Sequence, residues 1–193
     1  MKICIFGAAS NKINEKYVKA TEKLGEYLAE NGHDLVFGAG GHGLMGAAAR
    51  GFKRKGGKIY GVIPEFFREE CVEVIYTECD ELIYTETMAQ RKSTMEDLAD
   101  AFIIVPGGIG TFEEFYEVLT LKQLGRHTKP IALYDIDGYY GKLEAFMDYS
   151  MKEGFINKVC KEIYACAETP EKVLQYIVND KPVKRSVRDL KNG

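Results

Sequence analysis

The sequence predicts an α/β protein: one doubly wound parallel sheet of Rossmann-like type with helices on both faces. Three observations carry this. Short, continuously apolar runs alternate with amphipathic stretches of helical period, as strands buried on both faces between crossover helices require. Two of the runs pass through a glycine-rich turn straight into a helix pattern. The connections are too long for hairpins, and 193 residues suit one substantial core. The expected division is one folded domain over residues 1–180 and a polar C-terminal tail over 181–193.

The elements follow in order. Residues 3–6 are an apolar run ended by Gly7, a buried strand. From Asn14, apolar residues Tyr17, Ala20, Leu24, Tyr27 and Leu28 recur at helical spacing until Asn31-Gly32 supplies a stop. Residues 34–37 form a strand, 38–43 a glycine turn and 44–55 a helix rich in small residues, stopped by Gly56-Gly57. A third strand spans 59–63. Beyond Pro64 the pattern weakens to short strands at 72–76 and 82–84 and a helix over 87–98. The most uniformly apolar strand, 101–105, runs through Pro106-Gly107-Gly108-Ile109-Gly110 into a helix over 111–124. A strand at 131–134, a helix over 139–154, a strand at 163–167 and a helix opened by Thr169-Pro170 complete the alternation.

Composition narrows the function. A formal charge of −3 gives no general attraction for nucleic acid or anionic lipid, so a bound phosphate needs placed donors. No apolar run reaches membrane-spanning length, and the N-terminal run is too short for a signal peptide. Five cysteines without a C-x-x-C pair suggest free thiols in a cytoplasmic protein. His33, His42 and His127 lack ligand spacing, so no metal is expected, although His42 is a candidate ligand contact. No Gly-x-Ser-x-Gly elbow appears, and neither glycine loop ends in Gly-Lys-Ser/Thr, which disfavours a serine hydrolase and an NTPase.

The two glycine loops carry the chemistry. In the first, residues 38–46, glycines permit close backbone approach at a helix start, so Gly40, Gly41 and Gly43 are candidate ligand contacts. Residues 41–46 also satisfy G-x-G-x-x-G, with Glu65 placed as a ribose-binding acid. A dinucleotide fingerprint normally follows the first strand of its unit, however, and this loop follows the second. The plainer alternative is that these glycines only allow tight strand-to-helix packing. The second loop adds the Thr111 hydroxyl at the helix start and two carboxylates, Glu113 and Glu114, in the first turn. Those acids would repel a phosphate at the same point, so the ligand should carry its phosphate at the loop and a cation-like centre about one sugar away. Ribose 5-phosphate chemistry fits, because glycosidic cleavage passes through an oxocarbenium-like transition state that a carboxylate stabilises. Neighbouring helix residues point about 100° apart, so one of the two acids, Glu113 or Glu114, faces the cleft squarely.

With these residues in view, the chain resembles the "lonely guy" (LOG) family, cytokinin riboside 5′-monophosphate phosphoribohydrolases formerly described as possible lysine decarboxylases. The signature P-G-G-x-G-T-x-x-E reads Pro106 through Glu114, and the upstream Arg-Lys pair reads Arg91-Lys92 after Met88. Gly61-Val62-Ile63-Pro64 and Gln123-Leu124-Gly125 also match. The resemblance implies that Glu114 acts at the anomeric carbon or its attacking water and that Arg91 orients it and the leaving base. Lys92 would support binding. Gly107, Gly108, Ile109, Gly110 and Thr111 would hold phosphate and ribose, with Met88 and Thr120 bordering the nucleotide. Glu113 and, from the opening loop, Ser10 complete the expected set. A homodimer acting on a small nucleotide, with no cofactor, is implied. The histidine of the family's Asp-Met-His-x-Arg-Lys reads Ala89 here.

The expected reaction is hydrolysis of AMP or an N6-modified riboside monophosphate to free base and ribose 5-phosphate. The alternative is a non-catalytic nucleotide-binding sensor, which would use the same loops without needing Glu114. Lysine decarboxylation would need a pyridoxal phosphate Schiff base, for which the sequence offers no constellation.

Overall fold

The computed structural model describes residues 1–69 and 74–180. Seven strands form one sheet: β1 (Lys2–Phe6), β2 (Asp34–Phe37), β3 (Ile59–Pro64), β4 (Glu81–Thr85), β5 (Ala101–Ile104), β6 (Ile131–Tyr134) and β7 (Ala165–Ala167). Their order is β4-β3-β2-β1-β5-β6-β7, and all six pairings are parallel. Strand order therefore reverses at β1, whose neighbours are β2 and β5. That reversal opens a crevice beyond the C-terminal ends of β1 and β5, where ligands of such sheets bind.

Alternate residues of each strand feed two cores. Ile3, Ile5, Leu35 and Ile103 pack under α1 (Glu15–Glu30), α2 (Gly43–Arg54) and α7 (Pro170–Asn179). Cys4, Phe6, Val36 and Phe102 pack under α4 (Met88–Leu98), α5 (Ile109–Gln123) and α6 (Gly141–Lys152). Burial on both faces is the reason the strands read as unbroken apolar runs.

The helix α1 opens at Asn14, whose side chain accepts from the Lys16 N–H at 3.0 Å. Against it α2 packs backbone to backbone, because a Cβ on Gly51 would stand 2.3 Å from the Glu22 carbonyl. After β3 the chain makes a short helix, α3 (Glu65–Glu69), that the weak pattern beyond Pro64 does not announce. The strand expected at 72–76 falls partly outside the described residues; its described part makes one isolated antiparallel bridge, Ile75 to Gly40. The tail expected at 181–193 also lies outside them.

Three boundaries differ from expectation. The helix expected at 111–124 begins at Ile109, since Gly108 takes the N-cap and the end of the glycine loop is already helical. The helix expected over 139–154 begins at Gly141; the Asp135 side chain accepts from the Tyr140 N–H at 2.7 Å and Asp137 adopts φ +57°, so the chain turns before the helix starts. The strand expected at 163–167 is shortened to Ala165–Ala167 by a 3-10 turn at Lys158–Glu162, which Asn157 caps.

Candidate active site

A cleft of about 590 Å³ lies at the crevice. One wall is the loop after β1, Gly7 to Ser10, and another is the start of α5, with Gly108, Gly110, Thr111, Glu113 and Glu114. Met88, Arg91 and Lys92 from α4 face them, and Met45 and Phe67 close the remainder. The two loops are joined behind the cleft: Val105 N–H donates to the Phe6 carbonyl at 2.9 Å and Ala8 N–H to the Pro106 carbonyl at 3.2 Å.

No side chain caps Gly108, so the first N–H groups of α5, which have no acceptor within the helix, are open at its cleft-facing end. Because the helix starts at Ile109, Glu113 and Glu114 stand in its second turn and not its first. Glu114 is ~9 Å along the axis from Gly108, which separates the carboxylate from the anion-attracting terminus.

Arg91 is 5% exposed. Its Nε donates to the Val62 carbonyl at 3.1 Å and its Nη2 to the Gly38 carbonyl at 3.0 Å. The guanidinium also lies over the Phe67 ring, 5.7 Å from its centroid. Gly38 is required for this: a Cβ there would stand 1.7 Å from Nη2. Among the described residues no carboxylate lies within ion-pair distance of Arg91, so it holds its charge in the cleft on backbone dipoles. The Thr87 side chain sets the start of α4 by accepting from the Gln90 N–H at 3.1 Å, while Gln90 accepts from the Glu86 N–H at 2.8 Å.

The neighbouring charges divide as the helix geometry requires. Glu113 turns away from Glu114 and pairs with Lys92 at 2.5 Å; Glu117, one turn on, pairs with the same ammonium at 2.7 Å. Glu114 faces the cleft with its carboxyl pushed up to about 7. Burial is the main cause; Arg91 and Lys92 oppose it, and Glu113 and Glu117 reinforce it. A carboxylate that titrates near neutrality, beside a buried guanidinium and an open helix N-terminus, can assist a reaction that develops positive charge on a sugar phosphate.

Of the residues singled out in the sequence, Arg91, Glu114, Met88, Lys92, Gly108, Gly110, Thr111, Glu113 and Ser10 meet at the cleft. Gly107 and Ile109 belong to the same loop, but Gly107 lies behind the wall and Ile109 is 89% exposed. Thr120 is on the exposed side of α5, well along the helix from Thr111. Of the first glycine segment, Met45 lines the cleft, whereas the candidate glycines do not. Gly40 bridges to Ile75, Gly41 N–H donates to the Val74 carbonyl at 2.6 Å, and Gly43, at φ +58°, packs where a Cβ would stand 2.3 Å from the Ala8 carbonyl. His42 bonds Asn11 at 2.8 Å and is not a lining residue. The sequence reading did not single out Phe67; its only signal was an aromatic pair just beyond the C-terminal end of a strand.

The model of the family described as "Possible lysine decarboxylase" matches residues 45–177. The chain is 39% identical over 176 residues to cytokinin riboside 5′-monophosphate phosphoribohydrolase LOG2 of Arabidopsis thaliana, covering 91% of this chain and 82% of that protein. It is 37% identical over 181 residues to the LOG7 enzyme of the same plant, covering 94% and 82%. Among solved structures it superposes on the molybdenum cofactor carrier protein of Chlamydomonas reinhardtii with a TM-score of 0.70 at 21% identity, covering 92% of this chain and 95% of that one. The molybdenum cofactor binding protein of Rippkaea orientalis gives 0.67 at 20% identity, covering 92% and 93%. At those identities the likeness concerns the fold.

Proposed function

The chain belongs to the family described as "Possible lysine decarboxylase", which includes the LOG phosphoribohydrolases, and we propose that it hydrolyses the N-glycosidic bond of a purine riboside 5′-monophosphate. The observation that carries the reading is Glu114, a carboxyl titrating near 7 in the same cleft as the uncapped start of α5 and the buried Arg91. The phosphate sits at the N–H groups of Gly108 to Thr111, and the ribose lies along α5 with C1′ at Glu114. As the C1′–N bond lengthens, its electron pair leaves with the base and the sugar becomes oxocarbenium-like; the ionised Glu114 stabilises that centre or takes the proton of the attacking water. Arg91 keeps Glu114 from rising further and faces the departing base. The apolar groups of Met45, Phe67 and Met88 suit the flat face of adenine or an N6-modified adenine.

The printed family description fits the cleft less well. A Schiff-base lysine must be a neutral amine. Lys92, the one lysine lining this cleft among the described residues, is pulled down by burial, but its bonds to Glu113 and Glu117 outweigh that and raise it. The protein is read as a cytoplasmic homodimer. The four described cysteines, all free thiols, support the compartment. Phe146 and Tyr149, three apart on α6 and both exposed, offer an apolar face for a second copy; sedimentation of the purified chain reads the mass.

The test follows free base and ribose 5-phosphate by chromatography after incubating wild-type and Glu114→Gln protein with AMP and N6-isopentenyl-AMP. Wild type should release both products. The variant should lose about 10²- to 10⁴-fold in kcat while still binding nucleotide. Binding by both proteins without release by either would favour the sensor reading.

A further inference from the structure

The turn that carries the proposed phosphate site is gripped from behind. The Tyr140 hydroxyl, fully buried, donates to the Val105 carbonyl at 2.8 Å. Ala8 N–H takes the Pro106 carbonyl at 3.2 Å, and the Tyr139 hydroxyl takes the Gly107 carbonyl at 2.5 Å. Two of these three successive carbonyls, those of Val105 and Gly107, are thus taken by side chains that do not line the cleft, and that of Pro106 by Ala8 of its wall. They differ in how firmly the chain would hold them unaided. The first precedes Pro106, whose ring restricts the backbone. The second is part of the junction with the loop after β1. The third belongs to the peptide between Gly107 and Gly108, the one plane in the turn flanked by two residues without Cβ, and a Cβ on Gly108 would meet nothing within 4 Å.

Gly107 packs against Thr111, where a Cβ would stand 2.1 Å from its hydroxyl, but with no Cβ on either side the plane has little of its own to fix its orientation. A flip would turn the Gly107 carbonyl toward the cleft and carry the Gly108 N–H to the rear, replacing a donor by an acceptor where an anion must sit. We propose that Tyr139 is a positioning residue: by holding the Gly107 carbonyl it fixes the Gly107–Gly108 peptide with its N–H toward the cleft and polarises that N–H as a phosphate donor. The role deepens the phosphoribohydrolase reading and rests on it. Tyr139 is itself braced, with its ring edge-on to Tyr17 at 6.0 Å and to Tyr140 at 5.1 Å, while Lys16 of α1 pairs with Asp137 just before it. The packing leaves the hydroxyl as the part of Tyr139 that reads the loop.

The experiment compares the full wild-type chain with Tyr139→Phe, which keeps the ring and removes one oxygen. Steady-state hydrolysis of AMP gives kcat and KM, calorimetry gives Kd for ribose 5-phosphate and for inorganic phosphate, and thermal melting monitors the fold. KM and both Kd values should rise together by about five- to tenfold, with kcat within about twofold and the melting temperature little changed. Unchanged Kd values would overturn the proposal, as would a fall in kcat or melting temperature without a loss of phosphate affinity. If neither protein hydrolyses AMP or N6-isopentenyl-AMP, the phosphoribohydrolase reading fails, and the Kd comparison still decides what Tyr139 does. A wild-type chain that binds neither anion overturns both.

Discussion

Glu114 and Arg91 share the cleft without touching. The arginine is spent on two backbone carbonyls, so the acid is biased by field and burial and not locked in a salt bridge. Burial raises the carboxyl to about 7, so near neutrality it is divided between neutral and ionised forms. The proposed step needs the ionised form. It follows that kcat/KM should climb as pH rises through about 7 and level off above it. Arg91 lowers this pKa, so Arg91→Met should move the rising limb to higher pH as well as lower the rate. A profile flat across the neutral range in the wild type would remove Glu114 from the chemistry. The Arg-Lys pair and the Glu-Glu pair were both legible as residues. How the two pairs meet across helices was not, because Lys92 acquires its partners Glu113 and Glu117 only when α4 and α5 lie side by side.

At the scale of elements, glycines do the positioning, and for different reasons. Gly38 leaves room for the guanidinium of Arg91, fifty-three residues away in sequence. A methyl at that position, 1.7 Å from Nη2, must displace the arginine. Gly38→Ala should therefore reduce kcat/KM by about 10²-fold, the scale that follows from misplacing a catalytic group by about 1 Å. A variant protein with unchanged rates would show that Arg91 needs no such seat. Gly43 and Gly46 serve packing: a Cβ on either would strike a backbone carbonyl, that of Ala8 or of Gly41. Glycine-rich spacing alone cannot distinguish a loop that approaches a ligand from one that approaches another stretch of chain. That is why residues 38–46 and 106–110 looked alike in the sequence. The N–H groups of Gly41 and Leu44 find carbonyls within the protein, whereas the first turn of α5 remains uncapped.

For the whole molecule, the site exists because the strand order reverses at β1, placing the loops after β1 and β5 side by side. Parts from five segments, the loop after β1, the short helix α3 and the starts of α2, α4 and α5, converge there. A ligand that bridges them should stabilise the entire fold and not one element. Ribose 5-phosphate at about a hundred times its Kd should raise the melting temperature by roughly 5–10 °C, and Glu114→Gln should keep that shift if the carboxylate serves chemistry more than binding. An increase confined to the wild type would make Glu114 a binding residue instead.

The sequence by itself determined the fold class and the alternation of elements, and it put Arg91 and Glu114 forward as candidates through the motifs that carry the family resemblance. Those follow from local information: apolar runs buried on both faces, helical period and caps, and motif spacing within single segments. Only the tertiary structure decided that Phe67 joins the cleft while Gly40, Gly41 and Gly43 do not line it, that Arg91 rests on Gly38 and Val62, and that Tyr139 holds Gly107. These are contacts between residues tens of positions apart. Their partners are set by strand order and by which helix covers which face, and no periodicity along the chain encodes that directly.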